Sequence, residues 1–375
     1  MPKRLMFVAL ALWRLGPEAR GRHSRPACES VRNRNGSSVR NGVHLRGGAT
    51  TRMLAGNESA SRPPADPNEL LIVGPGVLGR AVAAMWHEKY PSSRIVAESR
   101  TPASHGVLRA TLPFLELRLA DAATYGLDRF RRVVFCAPPS QNEDYVAAVR
   151  RAVERYWVAR TPDTEAAAFV FTSSIGVYRE PLTPTVLRED SPVVTDPTEP
   201  GASPSALKLL ACEQVVRDAG GTVLRLAGLY TLERGPHRFW LSRGTVTGGP
   251  PDGLISLVSY HDAARAVVAA LEQPGLERET LVVADAKPLS RREICEVARR
   301  HPMYAKSPMP VFTAESEAVR GGGSARPAGK RFDTSRSRAK LGQFRYDFES
   351  FEEYVQRCVE EGDDAAQAPV PLDRI

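Results

Sequence analysis

At 375 residues the chain is long enough to bury a large core as one or two domains. Its formal charge of +8 invites a nucleic-acid partner, but residues 1–65 hold Lys3 and eleven arginines against Glu18, Glu29 and Glu58, a net of +9 that leaves −1 for everything after them. The remainder is therefore near neutral, which excludes nucleic-acid binding through a basic face, and no stretch reaches the ~20 apolar residues of a membrane span, so no membrane contact is expected of the mature form.

The leader comes first. Leu5 to Trp13 is an unbroken apolar run behind Lys3-Arg4, followed by an Arg/Ser-rich stretch with little periodicity. This reads as a targeting segment over residues 1–67. It resembles the two-part plastid leader of algae with complex plastids; an ordinary plastid or mitochondrial presequence and a tail without purpose are the alternatives. The five cysteines (Cys28, Cys136, Cys212, Cys295, Cys358) form no C-x-x-C pair, and Cys136 and Cys212 read as core.

Residues 70–80, Leu-Leu-Ile-Val-Gly-Pro-Gly-Val-Leu-Gly-Arg, carry the strongest signal. A short apolar run, Leu70 to Val73, breaks at Gly74, Gly76 and Gly79, and a helix with Val77, Leu78, Ala81, Val82 and Met85 on one side follows. The glycines are spaced G-x-G-x-x-G between a strand and a helix. Gly74 allows a sharp turn, Gly76 lets a pyrophosphate approach the main chain, and Gly79 lets the helix pack on the sheet. The N–H groups at the helix start, including those of Val77 and Leu78, then favour phosphates. The alternative is a glycine turn that merely packs.

Further strands are predicted over Arg94–Ala97, Phe114–Leu119, Arg132–Cys136, Ala168–Thr172, Thr222–Leu226 and Thr280–Ala284. Helices are predicted over Asp144–Arg160 and Ala206–Ala219, and from Asp262 as N-cap through Leu271. Strand–helix alternation predicts an α/β fold, a doubly wound parallel sheet with helices on both faces and ligands at the carboxyl ends of the strands. Residues 231–257 read as a Gly/Pro-rich loop insertion with the aromatic pair Phe239-Trp240, able to cover a substrate. Residues 302–330 read as a mobile loop, and 361–375 as a frayed tail.

Five segments in order carry a family resemblance. They are Gly74-Pro75-Gly76-Val77-Leu78-Gly79, Phe171-Thr172-Ser173-Ser174-Ile175-Gly176-Val177-Tyr178, Leu224-Arg225-Leu226-Ala227-Gly228-Leu229-Tyr230, Tyr260-His261-Asp262-Ala263-Ala264 and Pro288-Leu289-Ser290-Arg291-Arg292-Glu293. Together they resemble the extended or atypical short-chain dehydrogenases/reductases, near the NAD-dependent epimerase/dehydratase group and its plastid-type relatives in plants and algae. The resemblance implies a Rossmann domain over 68–360 that binds a nicotinamide dinucleotide, with a small C-terminal substrate lobe formed by about 231–257 and 285–360. It also implies an unidentified small-molecule substrate and pairing into a homodimer.

By the same resemblance, Ser174 binds the reacting oxygen, where its hydroxyl could stabilise an oxyanion; a strand-end serine satisfying loop backbone is the plain alternative. The family's Tyr-x-x-x-Lys pair is missing from the next helix. If Lys208 is the family lysine, Pro204 stands for the tyrosine; if Glu213 sets the register, Ser205 and Leu209 replace the pair. Lys208 could still contact a ribose hydroxyl or be a solvated helix lysine, and Tyr178 is a conceivable substitute base. Ala137 and Pro138, after the fourth strand, should lie over the adenine-ribose side.

Cofactor choice turns on two residues. Glu98 lies nineteen residues past Gly79, where an acid would hold the ribose 2′-OH of NAD. Arg100 could pair the 2′-phosphate of NADP, and Arg100-Thr101 resembles the NADP-preferring members. His261-Asp262 could form a site pair, with helix capping by Asp262 the alternative. Two functions follow: an NAD(P)-dependent oxidoreductase or epimerase-like enzyme on a carbonyl, alcohol or sugar-like substrate, or a non-catalytic NAD(P)-binding redox sensor or scaffold.

Overall fold

The computed structural model describes residues 66–120, 128–139, 144–158, 167–181, 183, 185–199, 202–246, 249–313 and 329–360. The leader up to residue 65, residues 314–328 of the expected loop and the tail from 361 lie outside the described residues.

Seven strands form the central sheet: β1 (Leu70–Val73), β2 (Ile95–Ser99), β3 (Leu115–Leu119), β4 (Arg132–Phe135), β5 (Ala168–Ser174), β6 (Thr222–Leu226) and β7 (Thr280–Val283). All pair in parallel, in the order β3-β2-β1-β4-β5-β6-β7. The register places Leu71 between Val96 and Val133. β1, β4 and β6 are buried at every position, as continuous apolar runs require when helices cover both faces. The reversal of direction between β1 and β4 opens the crevice in which such sheets bind ligands. This is the doubly wound Rossmann architecture.

The helices are α1 (Val77–Lys89), α2 (His105–Thr111), α3 (Tyr145–Arg151), α4 (Pro204–Asp218), α5 (Pro236–Arg243), α6 (Tyr260–Glu272), α7 (Arg291–Ala298), α8 (Ser335–Lys340) and α9 (Phe351–Glu360). The helix expected over Ala206–Ala219 runs from Pro204 to Asp218, and three further departures follow. The helix expected to reach Arg160 keeps α-geometry only to Arg151, then widens into a π-helical turn over Ala152–Tyr156. The helix expected to begin at Asp262 begins at Tyr260; Ser259 is its N-cap and accepts from the Asp262 N–H at 2.9 Å. The 231–257 insertion is not all loop. Pro236 fixes the first position of α5, and Gly244, at φ +68°, ends it in the left-handed region where glycine carries no Cβ penalty.

β7 is an edge strand, and its outward N–H groups are covered by side chains. Val282 donates to Ser337 Oγ at 2.8 Å and Ala284 to the Tyr346 hydroxyl at 3.1 Å. The segment carrying α8 thus blunts the edge against foreign strands. The main core joins the sheet to α1, α3, α4 and α6 and includes Phe332, Leu341, Phe344 and Tyr346. A second core gathers Tyr230, Leu241, Leu257, Ile294, Phe348, Phe351 and Tyr354 from the chain beyond β6. Cys212 is buried and Cys136 half-buried, and both are free thiols. Among the described residues no helix is long and apolar enough to cross a membrane.

Candidate functional site

The site begins where β1 stops. Gly74 has φ +91°, a backbone that L-residues rarely adopt, and a Cβ there would lie 2.5 Å from Cα and N of Ala137. Its N–H donates to the Glu98 carbonyl at 2.9 Å, and its own carbonyl accepts from Gly76 N–H at 2.8 Å. A Cβ on Gly79 would sit 2.6 Å from that same carbonyl. Gly76 differs: a Cβ there meets nothing within 4 Å. Gly76 is exposed, caps α1 through its main chain and brings no side chain to the helix start. The turn therefore presents the first N–H groups of α1, at Val77 and Leu78, to an open space. Leu78 itself is buried and Val77 half-buried, so their contribution is main chain.

Across the turn lies the end of β4. The Ala137 carbonyl accepts from the Tyr145 hydroxyl at 2.7 Å, which fixes the strand end, and Pro138 is exposed beside it.

At the end of β2 the structure corrects the sequence reading. Glu98 is 4% exposed and accepts from Arg118 Nε of β3 at 2.8 Å. Burial raises its carboxyl above the ordinary value, against the attraction of Arg118 and a hydrogen bond from Tyr156. The carboxylate is spent inside the sheet–helix layer and is not presented to a ribose. The Arg118 guanidinium lies 4.4 Å from the Tyr156 ring centroid, and its two terminal nitrogens have no hydrogen-bond partner. Arg100, two residues on, is exposed at the strand end. Ser99 Oγ is 2.7 Å from His105 Nε2 and donates to the Thr101 carbonyl at 2.9 Å.

At the end of β5, Ser174 Oγ accepts from Gly176 N–H at 3.0 Å. That leaves its hydroxyl proton available to a partner. Tyr178 is placed against a role as substitute base. It is fully buried, its hydroxyl donates to the Glu189 carbonyl at 3.2 Å, and burial pushes its phenol up to about 12. Lys208 is exposed on α4, close to the N-cap Ser203.

The sequence reading used Glu213 only to set a register; the structure makes it a node. Glu213 is fully buried on α4 and accepts from Ser173 Oγ at 2.6 Å, from Arg225 Nε and Nη2 at 3.1 and 2.8 Å, and from Arg217 Nη1 at 3.1 Å. Arg225 in turn lies 4.7 Å from the Tyr178 ring centroid. The missed signal was an arginine inside the apolar strand Thr222–Leu226, since a buried charge demands a partner.

His261-Asp262 is a structural latch. His261 Nε2 is 2.6 Å from Asp347 Oδ2. Each Asp262 oxygen already has two donors: Arg265 and Asp347 N–H on Oδ1, Ser259 Oγ and Phe348 N–H on Oδ2. The three groups lie within 4.8 Å of one another, but Asp262 has no lone pair left for a cation.

No family profile and no curated protein matches the chain. Solved structures do. A conserved protein of unknown function from Silicibacter pomeroyi aligns over 78% of this chain and 99% of its own, at 19% identity and TM-score 0.56. UDP-glucuronic acid 4-epimerase from Bacillus cereus, in complex with NAD, aligns over 78% and 100% at 17% identity and TM-score 0.55. The dTDP-glucose 4,6-dehydratase from Bacillus anthracis, in complex with NAD, aligns over 78% and 95% at 12% identity and TM-score 0.58. Two of these neighbours are an epimerase and a dehydratase solved with NAD, and at such identities the likeness establishes the fold.

Proposed function

We propose that the chain binds a nicotinamide dinucleotide along the carboxyl edge of its sheet and works as an oxidoreductase or epimerase-like enzyme on a carbonyl, alcohol or sugar-like substrate. One observation carries this reading: a Cβ on Gly76 would meet empty space at an α1 start that no side chain caps, the condition for main chain to receive a diphosphate. The neighbours solved with NAD support it by analogy of fold. When bound, the dinucleotide supplies hydride transfer. Ser174, with its Oγ already accepting from Gly176, keeps its proton and donates a hydrogen bond to the reacting oxygen, and a residue outside the usual helix position handles the proton. Tyr178 takes no part in proton transfer.

Within this reading the 2′-phosphorylated cofactor is favoured. Burial of Glu98 against Arg118 removes its repulsion of a phosphate, and exposed Arg100 stands at the same strand end. Thermal melting of the full chain with NADH and NADPH tests both steps. A ligand at 100 times its dissociation constant adds about 2.7 kcal/mol. No shift with either nucleotide at millimolar concentration refutes the reading. Arg100→Ala should weaken NADPH and spare NADH; the reverse refutes the preference.

A second reading is a non-catalytic NAD(P)-binding sensor or scaffold. It is favoured by Pro204 and Ser205 at the head of α4, where the family pair would supply the base. NADPH turnover with a carbonyl panel, lost in Ser174→Ala, selects the enzyme; binding without turnover selects the sensor. Plastid delivery by residues 1–67 and pairing into a homodimer belong to the same proposal, tested by a fluorescent fusion and by light scattering.

A further inference from the structure

Helices α1 and α6 are each 13 residues long and pack along one another. Their C-termini are tied: Glu272 accepts from Lys89 Nζ at 2.7 Å and from the Tyr90 hydroxyl at 2.6 Å. Helices of equal length rise equally, so the N-termini at Val77 and Tyr260 are level as well. α1 follows β1. α6 follows Leu257–Ser259, which pairs in parallel with Gly228–Tyr230 just beyond β6. Both N-termini therefore meet the carboxyl edge of the sheet.

α1 and the chain beyond Gly228–Tyr230 each carry an arginine. Arg80 lies at the end of the first turn of α1, with Nε 3.4 Å from the Gly76 carbonyl. Arg234 closes a two-residue hairpin that directly continues Gly228–Tyr230; its carbonyl accepts from Thr231 N–H at 3.0 Å. The two charges feel each other. Arg80 is pushed below its ordinary value, by burial first and by Arg234 second. Arg234 also opposes the upward push of burial on Tyr260. Among the described residues neither arginine forms an ion pair. Bringing two like charges together, one of them half-buried, costs energy that an anion between them would recover. Guanidinium forks suit the non-bridging oxygens of a diphosphate.

We infer that Arg80 and Arg234 clamp the diphosphate linker of the bound dinucleotide, Arg80 from the helix behind the glycine turn and Arg234 from the hairpin opposite it. The inference rests on the dinucleotide reading for the identity of the ligand, and on the two guanidiniums for the site.

Calorimetric titration of the full chain with NADH and with inorganic pyrophosphate, in magnesium-free buffer, tests it. Arg234→Gln should weaken both ligands about tenfold, the loss of one charge-assisted contact, and flatten the salt dependence. Arg234→Lys should recover part of the loss. Arg243→Gln, exposed on α5 outside the proposed clamp, should bind as wild type. Arg234 is exposed, so the melting temperature should not move; if Arg234→Gln does melt early, the Lys variant decides alone. NADH and pyrophosphate binding unchanged in Arg234→Gln overturns the clamp and leaves the dinucleotide reading standing. Wild type binding pyrophosphate but not NADH, with the site lost in Arg234→Gln, overturns the dinucleotide reading and keeps the clamp. Binding of neither ligand by wild type overturns both.

Discussion

The two ends of the crevice are built on opposite terms. At the β1–α1 turn the site consists of missing atoms: Gly74 and Gly79 leave no room for a Cβ, and Gly76 leaves room for something else. At the β5–α4 end the site consists of side chains that satisfy one another, with Glu213 holding Ser173, Arg225 and Arg217 at once. The first arrangement leaves the main-chain N–H groups at the start of α1 facing open space. The second is complete without a ligand, and it holds rigid the strand end from which Ser174 projects.

Substitutions at the two ends should separate fold from ligand. Glu213→Ala strands a buried Arg225, 5% exposed, and should cost about 4 kcal/mol in urea unfolding; a loss below about 1 kcal/mol would deny the node its role. Gly74→Ala should cost roughly 3 kcal/mol, from a Cβ placed 2.5 Å from the Ala137 main chain at φ +91°. Gly76→Ala should leave stability within about 0.5 kcal/mol and abolish NAD(P)H binding. Equal destabilisation by the two alanines would make the turn a packing device and nothing more.

The turn was legible in the sequence because its requirement is local: strand, three glycines and helix lie within eleven residues, 70–80. The apolar runs of β1, β4 and β6 were legible for the same reason. What lay hidden was pairing across the fold. Glu98 stands at the position of a ribose-binding acid, but Arg118, twenty residues on, claims it. Asp262 has the look of an N-cap, and Ser259, three residues earlier, fills that place because Asp262 is needed by the N–H groups of Asp347 and Phe348. Tyr178 looked available until its ring was found under Arg225. The spacing of residues along the chain is silent on which of two acids finds the arginine.

Acid acts on the second core through a buried histidine. His237 is fully buried, and burial pushes its imidazole down to about 4. Below its unfolded value of about 6.5 the unfolded chain takes up a proton that the folded chain refuses until about 4. Stability from this group therefore falls as pH drops through that window, by roughly 3 kcal/mol in all. Asp285 and Glu98 act in the other direction, because burial holds their carboxyls above the ordinary range and protonation favours the fold. The clean measurement is a difference. His237→Phe keeps a ring against Phe351 and leaves the Leu232 carbonyl its bond from Tyr304. Its stability relative to wild type should improve steadily from pH 6.5 to 4, and parallel pH curves would remove His237 from the account.

The last substitution bears most directly on the reacting end. Tyr178→Phe removes one hydroxyl that donates to the Glu189 carbonyl and bonds the Arg225 guanidinium, so it should cost about 1.5 kcal/mol. The ring stays under Arg225 and against Phe332. A phenol pushed up to about 12 inside the core stays protonated near neutral pH, so any turnover by wild type there should survive this substitution unchanged and fail in Ser174→Ala. Turnover lost in Tyr178→Phe, with stability intact, would make the tyrosine the group that meets the reacting oxygen and reverse the assignment of the two strand-end residues.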